Sequence, residues 1–307
     1  MKIVLLDTLT FGETDLSCFD ALGSVENYKT TAPEQIQKRI TDADVIVTNK
    51  VVITREYMKA AKKLKLICVA ATGTNNVDLK AAKELGITVK NVAGYSTNSV
   101  IQHTFSMLFY SLGHSRYYDE VVKNGNYSKS KIFTDVSQPF FEIKGKKWGI
   151  IGLGAIGRGV ANIAKCFGSA VCYYSTSGVN RNEDFQRVNL DELLKTCDII
   201  SIHAPLNDKT ANLLDYEQLL TCKEGAVVLN LGRGGIINEA GVAKLVDGKN
   251  IFFGLDVFEK EPLPLESPLL HVTHKERLYM TPHIAWTSVE ARRKLIKNVC
   301  ENIKNSL

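Results

Sequence analysis

The stretch KKWGIIGLGAIGRGVANIAKCFG, Lys146 to Gly168, decides the fold of this chain. It begins with an apolar run, passes through a glycine-rich turn and ends in a segment whose apolar residues recur with helical spacing. A strand that enters a helix through GxGxxG is typical of a dinucleotide-binding unit. In such a unit Gly152 permits the tight turn, Gly154 lets the backbone approach a pyrophosphate, and Gly157 lets the helix pack on the strand. The stretch therefore predicts a site for NAD(H) or NADP(H).

The start of the predicted helix supplies the anion-binding groups of this site. The N–H groups of Ala155 and Ile156, with the positive end of the helix dipole, would meet the phosphates. A GxGxxG pattern alone is weak, because glycine-rich turns are common. The flanking strand and helix make the prediction more specific here.

Outside this stretch, short apolar runs alternate with helical patterns. The alternation runs from KIVLLD at the amino terminus to ITVKNV (Ile87 to Val92), and it restarts at Lys146 and continues to TPHIA. This rhythm predicts parallel sheets with helices on both faces, arranged as two Rossmann-like doubly wound α/β domains. Residues 96–125 lie between the two runs and predict one long helix.

The last segment, SVEARRKLIKNVCENIKNSL (Ser288 to Leu307), also has helical spacing. This helix has to bury four apolar residues, which are Leu295, Ile296, Val299 and Ile303. We expect it to return to the first domain, which would make that domain discontinuous.

Composition excludes several classes of protein. The 307 residues are 45% hydrophobic and carry a net charge of +5, with the basic residues spread along the chain rather than gathered into a nucleic-acid patch. Seven cysteines without a CxxC pair indicate neither a disulfide framework nor a metal site. The start MKIVLLDT is typical of a strand rather than a signal peptide, and no apolar run is long enough for a membrane. We expect a soluble, cytoplasmic protein.

Three further motifs place ionisable residues just after apolar strands. VVLNLGRGGIINEAGV carries Arg233, whose guanidinium suits a carboxylate, although this motif alone could be a surface arginine in a turn. GLDVFEKEPLP carries Glu261, and MTPHIAW carries His283. A lone histidine is more often structural, but a histidine paired with a carboxylate at a strand edge fits proton transfer.

GLGAIG, NLGRGGIINEAG, GLDVFEKEP and TPHIAW, in this order, resemble the D-isomer-specific 2-hydroxyacid dehydrogenases. The resemblance covers essentially the whole chain, including ATGTNNVDLKAA and NVAGYSTNSVIQHT. Within the family the chain is most similar to the glycerate dehydrogenases, also called hydroxypyruvate reductases. The resemblance implies a dinucleotide-binding domain, residues 99–285, inserted into a substrate-binding domain of residues 1–98 and 286–307, with the active site in the cleft between them.

The implied reaction is the NAD(P)-dependent reduction of a small 2-keto acid, hydroxypyruvate and also glyoxylate, to the D-2-hydroxy acid. Alternatives are a D-lactate or phosphoglycerate dehydrogenase, or a dinucleotide-sensing binding module of the same fold. We expect no room for the extra regulatory domain of many phosphoglycerate enzymes, because the chain ends at Leu307. The family also implies a homodimer, for which helix 98–124 offers an apolar face of Phe105, Leu108, Phe109 and Leu112.

By resemblance, Arg233 holds the substrate carboxylate and carbonyl, His283 is the general acid, and Glu261 keeps His283 protonated. The resemblance places substrate contacts at Thr72 and Gly73, at Trp286 as a wall over a small substrate, and at Lys50 with Asn49. It implies cofactor contacts, beyond the glycine turn, from Val100, Ser175, Thr176, His203, Ala204, Pro205, Leu231, Gly232, Arg233, Asp256 and His283. Asp256 would face the nicotinamide amide.

The strand SAVCYYS ends in Ser175, Thr176 and Ser177, where an NAD-preferring enzyme has an acid that holds the ribose hydroxyls. An acid would repel the 2′-phosphate of NADP, whereas hydroxyls can donate hydrogen bonds to it. Arg181, six residues on, could reach the phosphate, but the usual arginine directly after the strand is missing. We predict use of both cofactors with a modest preference for NADPH.

Overall fold

The computed structural model describes residues 1–179 and 184–306. These residues form two compact units. Unit 1 comprises Met1–Ser96 and Trp286–Leu307, and unit 2 comprises Thr97–Ala285. The carboxyl-terminal segment thus belongs with the first 96 residues.

Unit 1 is built on a parallel five-stranded sheet with the order β2-β1-β3-β4-β5. The inner strands β1, β3 and β4 consist almost entirely of buried apolar residues, as expected for parallel strands covered on both faces. The edge strand β2, with the sequence SVEN, has no apolar pattern and was not expected from the sequence. The elements are β1 (Lys2–Leu5), β2 (Ser24–Asn27), α1 (Pro33–Ile40), β3 (Val45–Thr48), α2 (Arg55–Ala60), β4 (Leu66–Val69), α3 (Leu79–Glu84), β5 (Thr88–Asn91) and a carboxyl-terminal helix (Val289–Lys304).

The carboxyl-terminal helix completes the core of unit 1. Its residues Leu295, Ile296, Val299 and Ile303 are buried, as the sequence predicts, and pack with the apolar residues of β1, β3 and β4. Each such side chain contributes about 1.5–3 kcal/mol to folding through burial.

Unit 2 is built on a parallel seven-stranded sheet with the order β12-β11-β10-β9-β6-β7-β8. Its elements are α4 (Thr97–Leu112), α5 (Ser115–Lys123), β6 (Lys147–Ile151), α6 (Ala155–Cys166), β7 (Ala170–Tyr174), β8 (Gln186–Arg187), α7 (Leu190–Thr196), β9 (Ile199–Ile202), α8 (Tyr216–Leu220), β10 (Val227–Asn230), α9 (Glu239–Gly248), β11 (Phe252–Leu255) and β12 (Leu278–Met280). The two parallel sheets with their helices confirm the predicted α/β class.

The strand order of unit 2 reverses at β6, which pairs with β7 on one side and with β9 on the other. In open α/β sheets a ligand binds outside the carboxyl ends of the strands at such a switch point. The glycine-rich turn directly follows β6.

The single long helix predicted over 96–125 is wrong, because the structure has two helices there. α4 ends at Leu112, and α5 begins at Ser115. Between them His114 adopts a left-handed conformation with φ of 46°, which cannot continue a right-handed helix.

The apolar face predicted for dimerisation on this helix is mostly buried within unit 2. Phe105, Leu108 and Leu112 are at most 8% exposed and pack in the unit's own core, whereas Phe109 is 42% exposed. Helix α4 can lie this close because Gly159 of α6 has no side chain; a methyl group there would be 2.2 Å from Ile101. The packing of α4 therefore buries three of the four residues of this face within unit 2.

The sequence indicated no disulfide framework, but the structure contains one disulfide. Cys18 and Cys300 form a disulfide with an S–S distance of 2.18 Å, although 282 positions separate them. The carboxyl-terminal helix brings Cys300 beside the short turn of helix at Ser17–Phe19. No helix among residues 1–179 and 184–306 is both long and apolar enough to cross a membrane.

Candidate active site

The turn after β6 depends on its glycines for three different reasons. Gly152 has φ of 92°, and a methyl group there would lie 2.9 Å from the carbonyl oxygen of His203. A methyl group at Gly157 would lie 2.2 Å from the carbonyl oxygen of Gly152, so only glycine lets α6 start this close to the strand. At Gly154 a methyl group would meet nothing within 4 Å, which leaves open space beside the start of the helix.

The start of α6 can receive an anion. Its N-cap, Gly154, has no side chain with which to satisfy the first N–H groups of this 12-residue helix. These groups, which include those of Ala155 and Ile156, therefore remain available, together with the positive end of the helix dipole.

The ends of β9 and β10 lie against the same turn. His203 and Ala204 follow β9, and the carbonyl oxygen of His203 contacts Gly152. Gly232 follows β10, and a methyl group there would be 2.8 Å from the carbonyl oxygen of Ala204. The structure thus brings these predicted residues together at one edge of the sheet. Leu231, directly before Gly232, is buried, as is Val100 on α4, and Pro205 is exposed.

His203 is neutral, and its ring is held by hydrogen-bond contacts that the sequence does not reveal. Trp148 Nε1 donates to Ser201 Oγ at 3.0 Å, and Ser201 Oγ lies 3.1 Å from His203 Nε2. Burial lowers the pKa of His203 to about 3. Ser201 Oγ thus links Trp148 Nε1 to His203 Nε2, and the other ring nitrogen of His203 is Nδ1. That Nδ1 is buried and has no hydrogen-bond partner among the described residues.

Hydroxyl groups end strand β7. Ser175 is buried, and its Oγ lies 3.5 Å from Ser177 Oγ. The backbone N–H of Val179 donates to Ser177 Oγ, which braces the turn. Thr176 is half-buried. Arg181, considered for the 2′-phosphate, lies outside the described residues.

Asn230 shapes the turn that carries Arg233. Its Oδ1 accepts from the backbone N–H of Gly232 at 3.1 Å, and its Nδ2 donates to the carbonyl oxygen of Arg233 at 3.0 Å. Arg233 Nη1 donates to the carbonyl oxygen of Gly232, which leaves the other guanidinium donors for a ligand. Asn230 was not among the predicted site residues, because its only signal in the sequence is an amide at the end of an apolar strand.

Gly234 joins this turn to the loop after β11. A methyl group at Gly234 would lie 1.8 Å from the carbonyl oxygen of Phe258. In that loop the backbone N–H of Phe258 donates to Glu261 Oε1, and Glu261 Oε2 lies 2.7 Å from His283 Nδ1. The side chains of Glu261 and His283 are 28% and 23% exposed. The structure thus brings Glu261 and His283 together, as the strand-end pattern suggests. Glu261 contacts Nδ1 of the imidazole ring, and Nε2 is the other ring nitrogen.

Asp256 fixes the loop that carries His283. It is 1% exposed, and its Oδ1 accepts from Thr281 Oγ1 at 2.6 Å and from the N–H of Ile284 at 2.8 Å. Its Oδ2 accepts from the N–H of Ala285 at 3.0 Å. Both carboxylate oxygens of Asp256 thus accept hydrogen bonds from within the chain. The contact of Asp256 with the nicotinamide amide stays a prediction.

His283 itself adopts a left-handed conformation, with φ of 55°. Its backbone N–H donates to the carbonyl oxygens of Asp256 and Thr281, at 2.8 and 2.9 Å. A non-glycine residue in this region costs roughly 1–2 kcal/mol, so the hydrogen bonds around it have to hold it there.

A second carboxylate lies beside this pair. Burial raises the pKa of Glu239, and the charges of Glu259 and Glu261 raise it further, while a hydrogen bond from the backbone of Glu259 opposes them. That hydrogen bond, from the N–H of Glu259 to Glu239 Oε1, is 2.6 Å long.

The predicted substrate residues belong to unit 1. Lys50 is exposed, and Asn49 is buried at the end of β3. The buried carboxylate of Asp7, which the sequence analysis missed, accepts from the backbone N–H groups of Asn49, Lys50 and Val51 and so fixes this loop.

Two more of these residues lie elsewhere in unit 1. Thr72 is exposed, and its carbonyl oxygen accepts from Asn91 Nδ2 at 2.6 Å, which holds the loop of Thr72 and Gly73 to β5. Trp286 is half-buried against the core, edge-on to Tyr95 at 6.1 Å between ring centroids. Part of the Trp286 indole therefore packs against the core of unit 1.

Comparison with known proteins places this geometry in context. The sequence profile described as "D-isomer specific 2-hydroxyacid dehydrogenase, NAD binding domain" matches residues 105–285. A hydroxypyruvate reductase of Blautia hydrogenotrophica is 35% identical over 315 residues, covering 100% of this chain and 97% of that protein. A glycerate dehydrogenase of Methylorubrum extorquens is 34% identical over 305 residues, covering 99% and 95%.

Among solved structures, an acyclic imino acid reductase in complex with NADPH and D-Arg is similar, with a TM-score of 0.87 and 29% identity. The similarity covers 99% of this chain and 96% of that one.

Proposed function

The chain belongs to the D-isomer-specific 2-hydroxyacid dehydrogenase family, and we propose that within it the enzyme reduces hydroxypyruvate to D-glycerate, with glyoxylate as a second substrate. As a member of this family it is an NAD(P)-dependent oxidoreductase. The observation that carries the proposal is the contact of Glu261 with His283 at 2.7 Å, in the same unit as a dinucleotide-type turn and an arginine at a strand end.

The residues at the sheet edge fit a nicotinamide dinucleotide. The open space at Gly154 and the unsatisfied N–H groups of α6 suit the pyrophosphate, and the hydroxyls of Ser175 and Thr176 suit the adenosine ribose. His203 to Pro205 and Leu231 to Gly232 would line the remainder, with Val100 behind them. When bound, the reduced dinucleotide supplies the hydride that adds to the substrate carbonyl.

His283 would give a proton to the carbonyl oxygen as negative charge develops there. Glu261 accepts from Nδ1, which orients the ring, so Nε2 is the nitrogen that would donate to the substrate. Phe258 N–H in turn holds the Glu261 carboxylate in place.

Arg233 would bind the substrate carboxylate through two parallel charge-assisted hydrogen bonds. Its turn is fixed by Asn230 on one side and by the close contact of Gly234 with the Phe258 loop on the other. A cation in a fixed position orients the keto acid before the reaction, and such positioning lowers the barrier.

We assign the recognition of a small hydroxymethyl group to residues of unit 1. Thr72 and Gly73 would offer backbone N–H groups to the carboxylate, Lys50 with Asn49 would add polar contacts, and Trp286 would limit the size of the side chain. The half-burial of Trp286 beside Tyr95 supports this role, because a braced indole is a rigid wall.

The test is a kinetic panel with hydroxypyruvate, glyoxylate, pyruvate and phosphohydroxypyruvate against NADH and NADPH. We expect the highest kcat/KM for hydroxypyruvate, and His283→Gln should lower kcat by roughly 10²–10⁴-fold while cofactor binding survives. His274→Gln is the matched control, because His274 forms a similar pair with Glu276 at 2.9 Å on the surface of the same unit.

Three outcomes would contradict the proposal. Near wild-type turnover in His283→Gln would show that His283 is not the general acid. Higher efficiency with another keto acid would reassign the substrate. Tight cofactor binding without oxidation of NADH or NADPH in the presence of any of the keto acids would indicate a dinucleotide-sensing module.

We also propose that the enzyme is a homodimer whose interface is formed by a segment other than the mostly buried face of α4. The segment 132–141 exposes Phe133 at 89%, Val136 at 75% and Phe140 at 65%, which is unusual for apolar side chains in contact with water. A second copy of the chain would cover them. Phe133→Asp with Phe140→Asp should convert a dimer into a monomer in sedimentation analysis, and a monomeric wild-type enzyme would refute this proposal.

A further inference from the structure

Helix α4 holds both ends of the loop that carries His283. Ser99 and His103 lie one turn apart and so face the same side of the helix. Ser99 Oγ donates to the carbonyl oxygen of Ala285 at 2.6 Å, and His103 Nε2 lies 3.2 Å from Thr281 Oγ1. We call residues 281–285 the histidine loop. The contacts of α4 thus reach Thr281 and Ala285, the first and last residues of the histidine loop.

The hydrogen bonds from His103 have one consistent direction. Thr281 Oγ1 lies 2.6 Å from Asp256 Oδ1, and since a carboxylate only accepts, the hydroxyl donates to it. The lone pair of Thr281 Oγ1 then accepts from His103, so Nε2 carries a proton. Asp256 passes the constraint on, because its oxygens accept from the N–H groups of Ile284 and Ala285.

The environment of His103 suits a neutral donor. Its side chain is 14% exposed, and burial lowers its pKa, an effect that the charge of Asp256 partly offsets. At neutral pH the ring therefore donates one hydrogen bond, to Thr281, and Nε2 lies 3.6 Å from Asp256 Oδ1.

The histidine loop needs such support. His283 has a left-handed backbone, and its side chain has to meet Glu261 on one side and the substrate on the other. Loosening of the buried Asp256–Thr281 pair would let the backbone of residues 283–285 relax, and a general acid displaced by even a fraction of an ångström transfers its proton less efficiently.

We propose that His103 is a positioning residue, which acts through Thr281 and Asp256 to hold His283 in the geometry for proton transfer. The inference rests on the proposed function of His283, and it assigns a role to a residue that does not contact the reacting atoms.

The experiment compares His103→Ala, His103→Gln and the control Gln102→Ala, which changes an exposed neighbour on the same helix. We expect His103→Ala to lower kcat for hydroxypyruvate roughly three- to tenfold, the factor that corresponds to one neutral hydrogen bond. The KM and the cofactor Kd should stay within about twofold. His103→Gln should restore most of kcat, because its amide N–H can donate to Thr281, and Gln102→Ala should match wild type.

A second variant keeps the test decisive if His103→Ala folds poorly. Thr281→Val removes the hydroxyl that links His103 to Asp256 with little change in volume. It should lower kcat by a similar factor, and the effects of His103→Ala and Thr281→Val should not add in the double variant.

Unchanged kcat per folded molecule in His103→Ala, no rescue by His103→Gln, or additive effects of the two variants would each overturn the inference. A lower unfolding midpoint with normal kcat would leave only a structural role and would likewise overturn it. Failure of the proposed function is distinguished separately, because His283→Gln would then retain full activity.

Discussion

Ser175 is the residue that we expect to affect cofactor preference most directly. It is buried at the end of β7, with Ser177 Oγ at 3.5 Å and no acidic side chain at this strand end. Hydroxyls can donate to a 2′-phosphate or accept from ribose hydroxyls, which is the physical reason why we predict the use of both NADH and NADPH with a modest preference for NADPH.

Ser175→Asp should shift this preference toward NADH. A carboxylate within about 4 Å of the 2′-phosphate costs roughly 1–4 kcal/mol, so kcat/KM for NADPH should fall about tenfold or more relative to that for NADH. Ser177→Asp places the same charge on an exposed side chain two residues later and should shift the ratio less. The ratio of kcat/KM for NADPH to kcat/KM for NADH measures the shift. Wild-type enzyme that does not use NADPH would contradict the predicted preference.

Glu239 makes the stability of unit 2 depend on pH. Its pKa is raised from the ordinary 4.5, so the folded state binds this proton more tightly than the unfolded chain does. The ionised carboxylate then lowers the free energy of unfolding as pH rises above about 4.5 and has no such effect at lower pH.

Glu239→Gln should therefore be more stable than wild type at neutral pH, and the difference should vanish as pH falls through the titration range of the carboxyl. The Gln oxygen can still accept from Glu259 N–H, so that hydrogen bond survives. Urea unfolding at a series of pH values measures the difference, with the exposed Glu224→Gln as control. Parallel pH curves for wild type and Glu239→Gln would show that the pKa is not raised.

Among the elements of unit 2, the turn after β10 and the loop after β11 are joined by contact of their backbones. At Gly234 an added methyl group would lie 1.8 Å from Phe258 O and 2.6 Å from Glu259 N. Both are backbone atoms, so no side-chain rotation can relieve the contact. Arg233 and Glu261 are thus held in register by a residue that has no side chain.

Gly234→Ala should move one of these segments and misplace Arg233 relative to Glu261 and His283. A displacement of about 1 Å near the reacting groups can cost on the order of a hundredfold in kcat. Gly248→Ala, at the end of α9, is the control, because a methyl group there meets nothing within 4 Å. Steady-state kinetics and cofactor titration measure the effect, and a fully active Gly234→Ala enzyme would show that the contact is not needed.

At the scale of the whole molecule, the Cys18–Cys300 disulfide ties the carboxyl-terminal helix to the amino-terminal part of unit 1. It restricts the unfolded chain, and disulfides typically contribute about 2–4 kcal/mol to stability. The remaining cysteines, Cys68, Cys166, Cys172, Cys197 and Cys222, are free.

Enzyme purified without reductant should therefore show five titratable thiols when denatured, since two of seven are bonded. Cys300→Ser, or treatment with reductant, should lower the unfolding midpoint, whereas Cys166→Ser, at an exposed free cysteine, should not. Seven free thiols in the untreated enzyme would contradict the disulfide.

Local sequence signals determined the class of fold and predicted the residues expected to carry the chemistry. Apolar runs and helical spacing predict parallel α/β sheets because they depend only on neighbours along the chain. The same holds for the glycine turn, for the arginine at the end of β10, and for the residues Glu261 and His283 after β11 and β12. Strand β2 escaped prediction because its residues are polar and it is stabilised by pairing with β1.

Only the tertiary structure decided which distant groups meet. The disulfide over 282 positions, the burial of the α4 face and the links from His103 through Thr281 to Asp256 all join segments far apart in sequence. Their physical cause is the packing of whole elements, which places a donor beside an acceptor or a glycine beside a carbonyl oxygen. The sequence by itself identified the family and the candidate catalytic residues, and the packing of the elements decided which groups surround His283.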